Sequence, residues 1–164
     1  MIDVTQAVRQ LSRNAEAIRV LAGALPEEAA NWSPAADIWS MKDVAEHLYN
    51  EERFDFRRHL KTMFGESPES RQHIELKSAR EALDGFLLER AASMAWLRAL
   101  ESPDWGVTIE LQFGPNERFT FSAGDMLVSW VEHDNLHLRQ MVELLHAWHE
   151  HVATPYSTKY AGEW

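Results

Sequence analysis

His133 and His137 stand four residues apart in SAGDMLVSWVEHDNLHLRQMVELL, residues 122–145. In a helix, four residues rise about 6 Å and turn slightly more than once, so both imidazoles leave the same face. Two nitrogens so placed can converge on one metal ion, as in other His-x-x-x-His helices. Two ligands make an unselective site, and His47 in AEHLYNEE is the candidate third. Val44, Ala45 and Leu48 flank it, so its helix must pack into the same core. Three neutral histidines from two helices would hold a divalent cation and leave positions for water or substrate, as in catalytic rather than structural zinc sites. Imidazole discriminates weakly among zinc, nickel, iron and manganese. Ordinary hydrogen bonds would also satisfy three core histidines without any metal.

Two carboxylates stand beside these histidines. Glu51 follows His47 by one helical turn and Asp134 adjoins His133. Either can orient a ring or hydrogen-bond a water on the metal; the bland alternative is a solvated helix carboxylate. Of the eight histidines, His146, His149 and His151 cluster near the C-terminal end, where a cationic ring suits a helix dipole. Those three, with His59 and His73, read as surface residues.

Four amphipathic segments must position this chemistry. Val4, Val8, Leu11, Ala15, Ile18, Ala22 and Leu25 recur at steps of three and four, with Asp3 as cap and Pro26 as stop. Residues 26–39 read as a loop whose Trp32 and Trp39 fold back onto the core or line a pocket. Ser40 and Asp43 form a capping box opening a second helix that runs to about Phe64. Ser78 and Glu81 open a third over 79–101, which buries Leu83, Phe86, Leu87, Ala91, Met94, Leu97 and Leu100. Residues 106–121 alternate apolar and polar around Gly114-Pro115-Asn116, the pattern of a short β-hairpin. Ser122 and Asp125 cap the helix that carries His133 and His137. The tail HEHVATPYSTKYAGEW has no helical stripe and is expected to lie ordered across the helices. The fold class is all-α: one domain over residues 1–164, an up-down four-helix bundle with a short β-hairpin before the last helix.

Composition narrows the function. The 164 residues are 45% hydrophobic and 26% charged, the profile of a globular chain. Twenty-six acidic against sixteen basic residues give a formal charge of −10, without a Lys/Arg cluster in the sequence suited to a phosphate backbone, so no nucleic acid partner is expected. No apolar run approaches a membrane span, and the N-terminus lacks the apolar core of a secretory signal; the expected location is the cytoplasm. With no cysteine there is no thiolate ligand, disulfide or cysteine nucleophile. Glycine-rich phosphate loops and Gly-x-Ser-x-Gly elbows are absent too.

Trp39-Ser40 opening a helix with His47 seven residues on, then His133-Asp134-x-x-His137-Leu138-Arg139-Gln140 in a late helix, resembles the DinB-like superfamily. That resemblance implies a four-helix bundle and a divalent metal on His47, His133 and His137. It also brings thiol S-transferases and a thiol-dependent isomerase that use bacillithiol or mycothiol. The reading is therefore a metal-dependent enzyme that ionises a thiol or a water and delivers it to a small-molecule substrate. Thiol transfer is favoured over hydrolysis by the resemblance alone. The pocket is expected between the second and fourth helices, walled by Trp39, Phe54 and Trp130, and a homodimer is compatible. The rival reading is a non-catalytic bundle that holds a metal or small ligand in a stress response.

Overall fold

A computed structural model describes residues 3–70, 72 and 74–164. His73 lies outside the described residues.

Each helix begins where its capping residues put it. α1 (Val4–Gly23) is capped by Asp3, whose side chain accepts from the Gln6 amide. A short α2 (Glu27–Asn31) interrupts the stretch expected to be loop. Ser40 and Asp43 form a reciprocal capping box on α3 (Met41–Phe54), as Ser122 and Asp125 do on α6 (Ala123–Ala153). At α5 (Ala79–Ala99) only half of the box forms: Ser78 accepts from the Glu81 amide, while Glu81 reaches the Lys77 amide instead. β1 (Thr108–Gly114) and β2 (Glu117–Ser122) pair antiparallel as the hairpin that leads into α6.

Two boundaries differ from the sequence reading. The second helix is broken at Asp55, with φ −115° and ψ −105°, into α3 and α4 (Phe56–Met63). The Asp55 carboxylate accepts from His59 Nδ1 at 3.2 Å. A short acidic side chain that bonds locally competes with the helical ladder. The last helix runs on to Ala153, and the tail then forms a 3₁₀ turn at Lys159–Ala161. There Trp164 stacks on His146 at 4.4 Å and Thr158 bonds Glu150.

The bundle and its hairpin are those the sequence implied, but the helices do not strictly alternate. Val8 and Leu11 of α1 pack with Leu127 of α6, and Ile18 with Met141 and Leu144, so α1 and α6 run side by side in one direction. Leu48 packs with Phe86 and Leu60 with Leu97, so α3–α4 and α5 share the other. The order is up, down, down, up. The end of α4 at Met63 and the start of α5 at Ala79 therefore lie towards opposite ends of the bundle.

The core has two apolar layers. One gathers Ile18, Val44, Leu48, Phe86 and Met141; the other gathers Leu11, Leu60, Leu97, Leu127 and Trp130. Between them lies a buried polar belt to which every long helix contributes. Arg90 of α5 donates to Glu52 Oε1 of α3 at 2.5 Å, to Asp134 of α6 at 2.6 and 2.7 Å, and to the Leu11 carbonyl of α1 at 3.2 Å. Ser93 and Trp130 Nε1 complete Glu52, and Asn14 adds a bond to Asp134.

Candidate metal centre

Four elements build the site. α3 presents His47 in its second turn, and α6 presents His133 and His137 one turn apart. Because α3 and α6 run in opposite directions, the three rings meet at one level, beside the polar belt. The loop before α3 lays Trp39 over them, and α4 opens with Phe56, whose ring meets His133 edge-on at 5.3 Å.

The three rings turn their Nε2 atoms inward. His133 Nε2 lies 3.1 Å from His47 Nε2 and 3.2 Å from His137 Nε2, and one ligand atom from each residue falls within 4.8 Å of the others. Among the described residues no other His, Asp or Glu trio converges in this way.

This donor set fits a cation. Nitrogens bound to tetrahedral zinc at 2.0–2.1 Å sit about 3.3 Å apart, close to the separations here. Nδ1 of His137 donates to Gln140 Oε1 at 2.8 Å, which leaves the lone pair on the inward Nε2. Burial, reinforced by the neighbouring rings, holds His47 and His133 down at about 4, and burial lowers His137 as well. All three are neutral at neutral pH. With hydrogen bonds alone, His133 Nε2 must share a single N–H between the other two rings, whereas a divalent ion takes a lone pair from all three.

Glu51 approaches the outward edge of the His47 ring, with Oε1 3.8 Å from Nδ1. That is an ion-pair distance rather than a hydrogen bond. Burial first, then the Asp55 charge, raises its carboxyl to about 7. It is therefore half protonated near neutrality.

Asp134 behaves otherwise. It is fully buried and not a solvated helix carboxylate, and its oxygens accept from Arg90 and Asn14 rather than from a histidine ring. It influences the site through His137, whose charged form it favours, and through the position of α6. That leaves Glu51, at the His47 ring, and Asp55, whose charge favours the charged forms of both His47 and His133, as carboxylates acting on the rings.

The expected pocket walls also change. Trp39 does cover the site, 5.0 Å from the His47 ring and parallel to His137 at 6.2 Å, with 41% of its surface exposed. Trp130 does not: it is 1% exposed, stacked on Phe56, with its indole nitrogen on Glu52. Phe54 points elsewhere and packs under the Arg53 guanidinium. Phe56 is the aromatic residue that the sequence reading missed, and Gln140 is the missed ring-orienting partner; its i+3 spacing from His137 was the available signal.

The remaining histidines stay apart from this centre. His151 stacks on Trp32 at 5.2 Å, with Trp148 against both, and His146 stacks on Trp164. A larger cleft of about 490 Å³, lined by Met63, Phe64, Leu100 and Val107 among others, opens where α4, α5 and the hairpin meet and contains none of the three ligand candidates. No described helix is long and apolar enough to cross a membrane.

Comparison with known proteins agrees with this picture at the level of fold. YfiT from Bacillus subtilis, described as a probable metal-dependent hydrolase with an unusual four-helix bundle topology, superposes with a TM-score of 0.68 at 16% identity, over 89% of each chain. A conserved protein from Enterococcus faecalis superposes with a TM-score of 0.59 at 17% identity, over 90% of this chain and 97% of that one. No curated protein matches the sequence. A sequence model described as the DinB superfamily matches residues 10–141, which takes in all three histidines and part or all of every long helix, and the chain accordingly belongs to the DinB superfamily.

Proposed function

We propose that this chain is a metal-dependent enzyme that activates a small nucleophile, with His47, His133 and His137 as the protein ligands of one divalent ion. The reading is carried by the convergence of three neutral Nε2 atoms within 4.8 Å beside a carboxylate that titrates near 7. When bound, the ion supplies Lewis-acid chemistry, making a water or thiol acidic enough to ionise near neutral pH. Zinc and nickel suit three imidazoles best; iron and manganese are admissible.

The protein's own groups have assignable tasks. Glu51 takes the proton released by the nucleophile and returns it to the leaving group, the task for which a carboxyl near 7 is tuned. Trp39 offers a flat, partly exposed indole face against which an apolar or planar substrate settles at the edge of the histidines. Gln140 and the buried Arg90–Asp134 pair keep α6, and so His133 and His137, in place.

Water is the nucleophile this arrangement favours, because a base beside the ion helps water most. Hydrolysis is also the activity ascribed to YfiT. Thiol S-transfer is the second reading, favoured by the family resemblance; an ionised low-molecular-weight thiol would attack an electrophile with no need of Glu51. A cytoplasmic location and a homodimer fit either reading.

The experiment is metal analysis of untagged protein beside His47→Ala, His133→Ala and His137→Ala, followed by substrate panels with and without added thiol. One ion per chain, lost in all three variants, is expected. Turnover without thiol that falls in Glu51→Gln supports hydrolysis; thiol-dependent turnover that survives this change supports transfer. Failure to take up zinc, nickel, iron or manganese overturns the enzyme reading. Tight metal binding with no turnover in either panel favours the non-catalytic rival.

A further inference from the structure

Where the end of α3 and the start of α4 face Pro68 and Glu69, four cations line one small cavity. Arg53, Arg57, Arg58 and Lys61 meet Pro68 and Glu69 around a space of about 10 Å³, enough for a single water-sized occupant. Such a concentration is unexpected in a chain whose formal charge is −10.

The charges are not balanced there. Arg57 is satisfied, with Nη2 on Glu89 Oε2 and Nη1 on the Glu89 carbonyl. Lys61 lies 4.0 Å from Glu69. Arg53 is different. It is 8% exposed, its guanidinium lies between the Tyr49 and Phe54 rings, and Nη2 donates to the Gln72 carbonyl. Its Nε and Nη1 are buried without a hydrogen-bond partner, the Glu89 carboxylate standing 3.9 Å from Nε. A guanidinium cannot shed its proton to escape this deficit.

We propose that this cavity is a small-anion site for a monoatomic ion of chloride size. A water would give Arg53 an acceptor but leave the excess of four cations over Glu69 and Glu89, among the described residues, untouched. An anion of the same size does both. A phosphate or sulfate is too large for the space as it stands. The bound ion would join α3 and α4 to Pro68 and Glu69, beside the Gln72 carbonyl that Arg53 already holds. The site is separate from the histidines, because Arg53 leaves α3 about 120° around the helix from His47 and none of the three histidines lines the cavity.

Bromide tests this, since it occupies chloride sites and is located by its anomalous scattering. Crystals of the full chain soaked in sodium bromide are expected to show a peak within hydrogen-bonding distance of Arg53. That peak should fall to about half or less in Arg58→Gln, an exposed position whose change spares the fold. Arg53→Gln should abolish it; where that variant fails to fold, Arg58→Gln together with Lys61→Gln serves instead. Wild-type crystals with no bromide at the cavity would overturn the proposal and leave it a water site.

Discussion

Arg90 grips Asp134 through two hydrogen bonds of 2.6 and 2.7 Å, one residue along α6 from His133. Both side chains are out of contact with solvent, and Glu52 binds the same guanidinium from α3. The two helices that carry the candidate ligands are thus tied to a common cation on a third helix. Breaking one member strands the others: Asp134→Ala leaves Arg90 buried with half its neutralising charge gone. A loss of about 3–5 kcal/mol is expected for such a break. Urea denaturation of metal-free protein at neutral pH measures it, and a loss under 1 kcal/mol would show that the belt contributes little. Replacing Glu52, Arg90 and Asp134 together by apolar residues of similar size should cost less than Asp134→Ala alone.

This belt also shows where the sequence was legible and where it was not. Helix starts were readable because Ser40, Ser78 and Ser122 cap through local bonds that need no tertiary context. The His133/His137 pair was readable because helical spacing alone sets its geometry. The belt was not read, although each member sits in an apolar stripe: Glu52 between Leu48 and Phe56, Arg90 between Phe86 and Leu97, Asp134 between Leu127 and Met141. Three charges of compensating sign in three stripes are a signal that only the relative order of helices turns into a contact. Helix direction was hidden for the same reason, since periodicity is the same read up or down. Trp130 was placed at the pocket because an indole suits a wall as well as a core, and the Glu52 acceptor that draws it inward lies 78 residues away.

Acid should loosen the metal-free protein through its histidines. His47 and His133 sit at about 4 in the fold against 6.5 as free side chains, so the unfolded chain binds more protons between those values. Their contribution is complete above pH 6.5 and is lost as pH falls towards 4. Glu51 works in the opposite sense: raised from 4.5 to about 7, it favours the fold below pH 4.5 and loses that effect as pH rises through 7. Two groups outweigh one, so stability should rise from pH 5 to pH 6. Denaturation midpoints across this range should show a steeper rise in Glu51→Gln and a flatter one in His133→Ala. A wild-type profile that falls with pH would contradict the assignment.

Gly85 of α5 lies directly against the Tyr49 ring of α3. A Cβ there would stand 2.8 and 2.9 Å from ring carbons of Tyr49, which is buried and has no free end to swing aside. Glycine to alanine inside a helix ordinarily stabilises by about 1 kcal/mol. Here the clash should win, with a net loss of about 1–3 kcal/mol. A Gly85→Ala variant that melts at or above the wild-type temperature would mean that the helices separate freely at this point, and metal affinity would then be the next quantity to measure.

Glu51 should separate binding from turnover. It touches none of the inward nitrogens, and its nearest approach is 3.8 Å to the outward Nδ1 of His47. Glu51→Gln should therefore keep the metal, since the three ligand nitrogens are unchanged. Turnover by a water-derived nucleophile should fall by about 10²–10⁴-fold, the usual worth of a positioned base. The pH profile carries the sharper signature. A carboxyl held near 7 by burial moves lower once a cation sits beside it, so the acid limb of the wild-type rate should lie at or below pH 7. That limb should vanish in Glu51→Gln and persist in Glu51→Asp, while metal content stays the same in all three. If Glu51→Gln loses the metal instead, the carboxylate is a ligand and the site is closed by a fourth side chain.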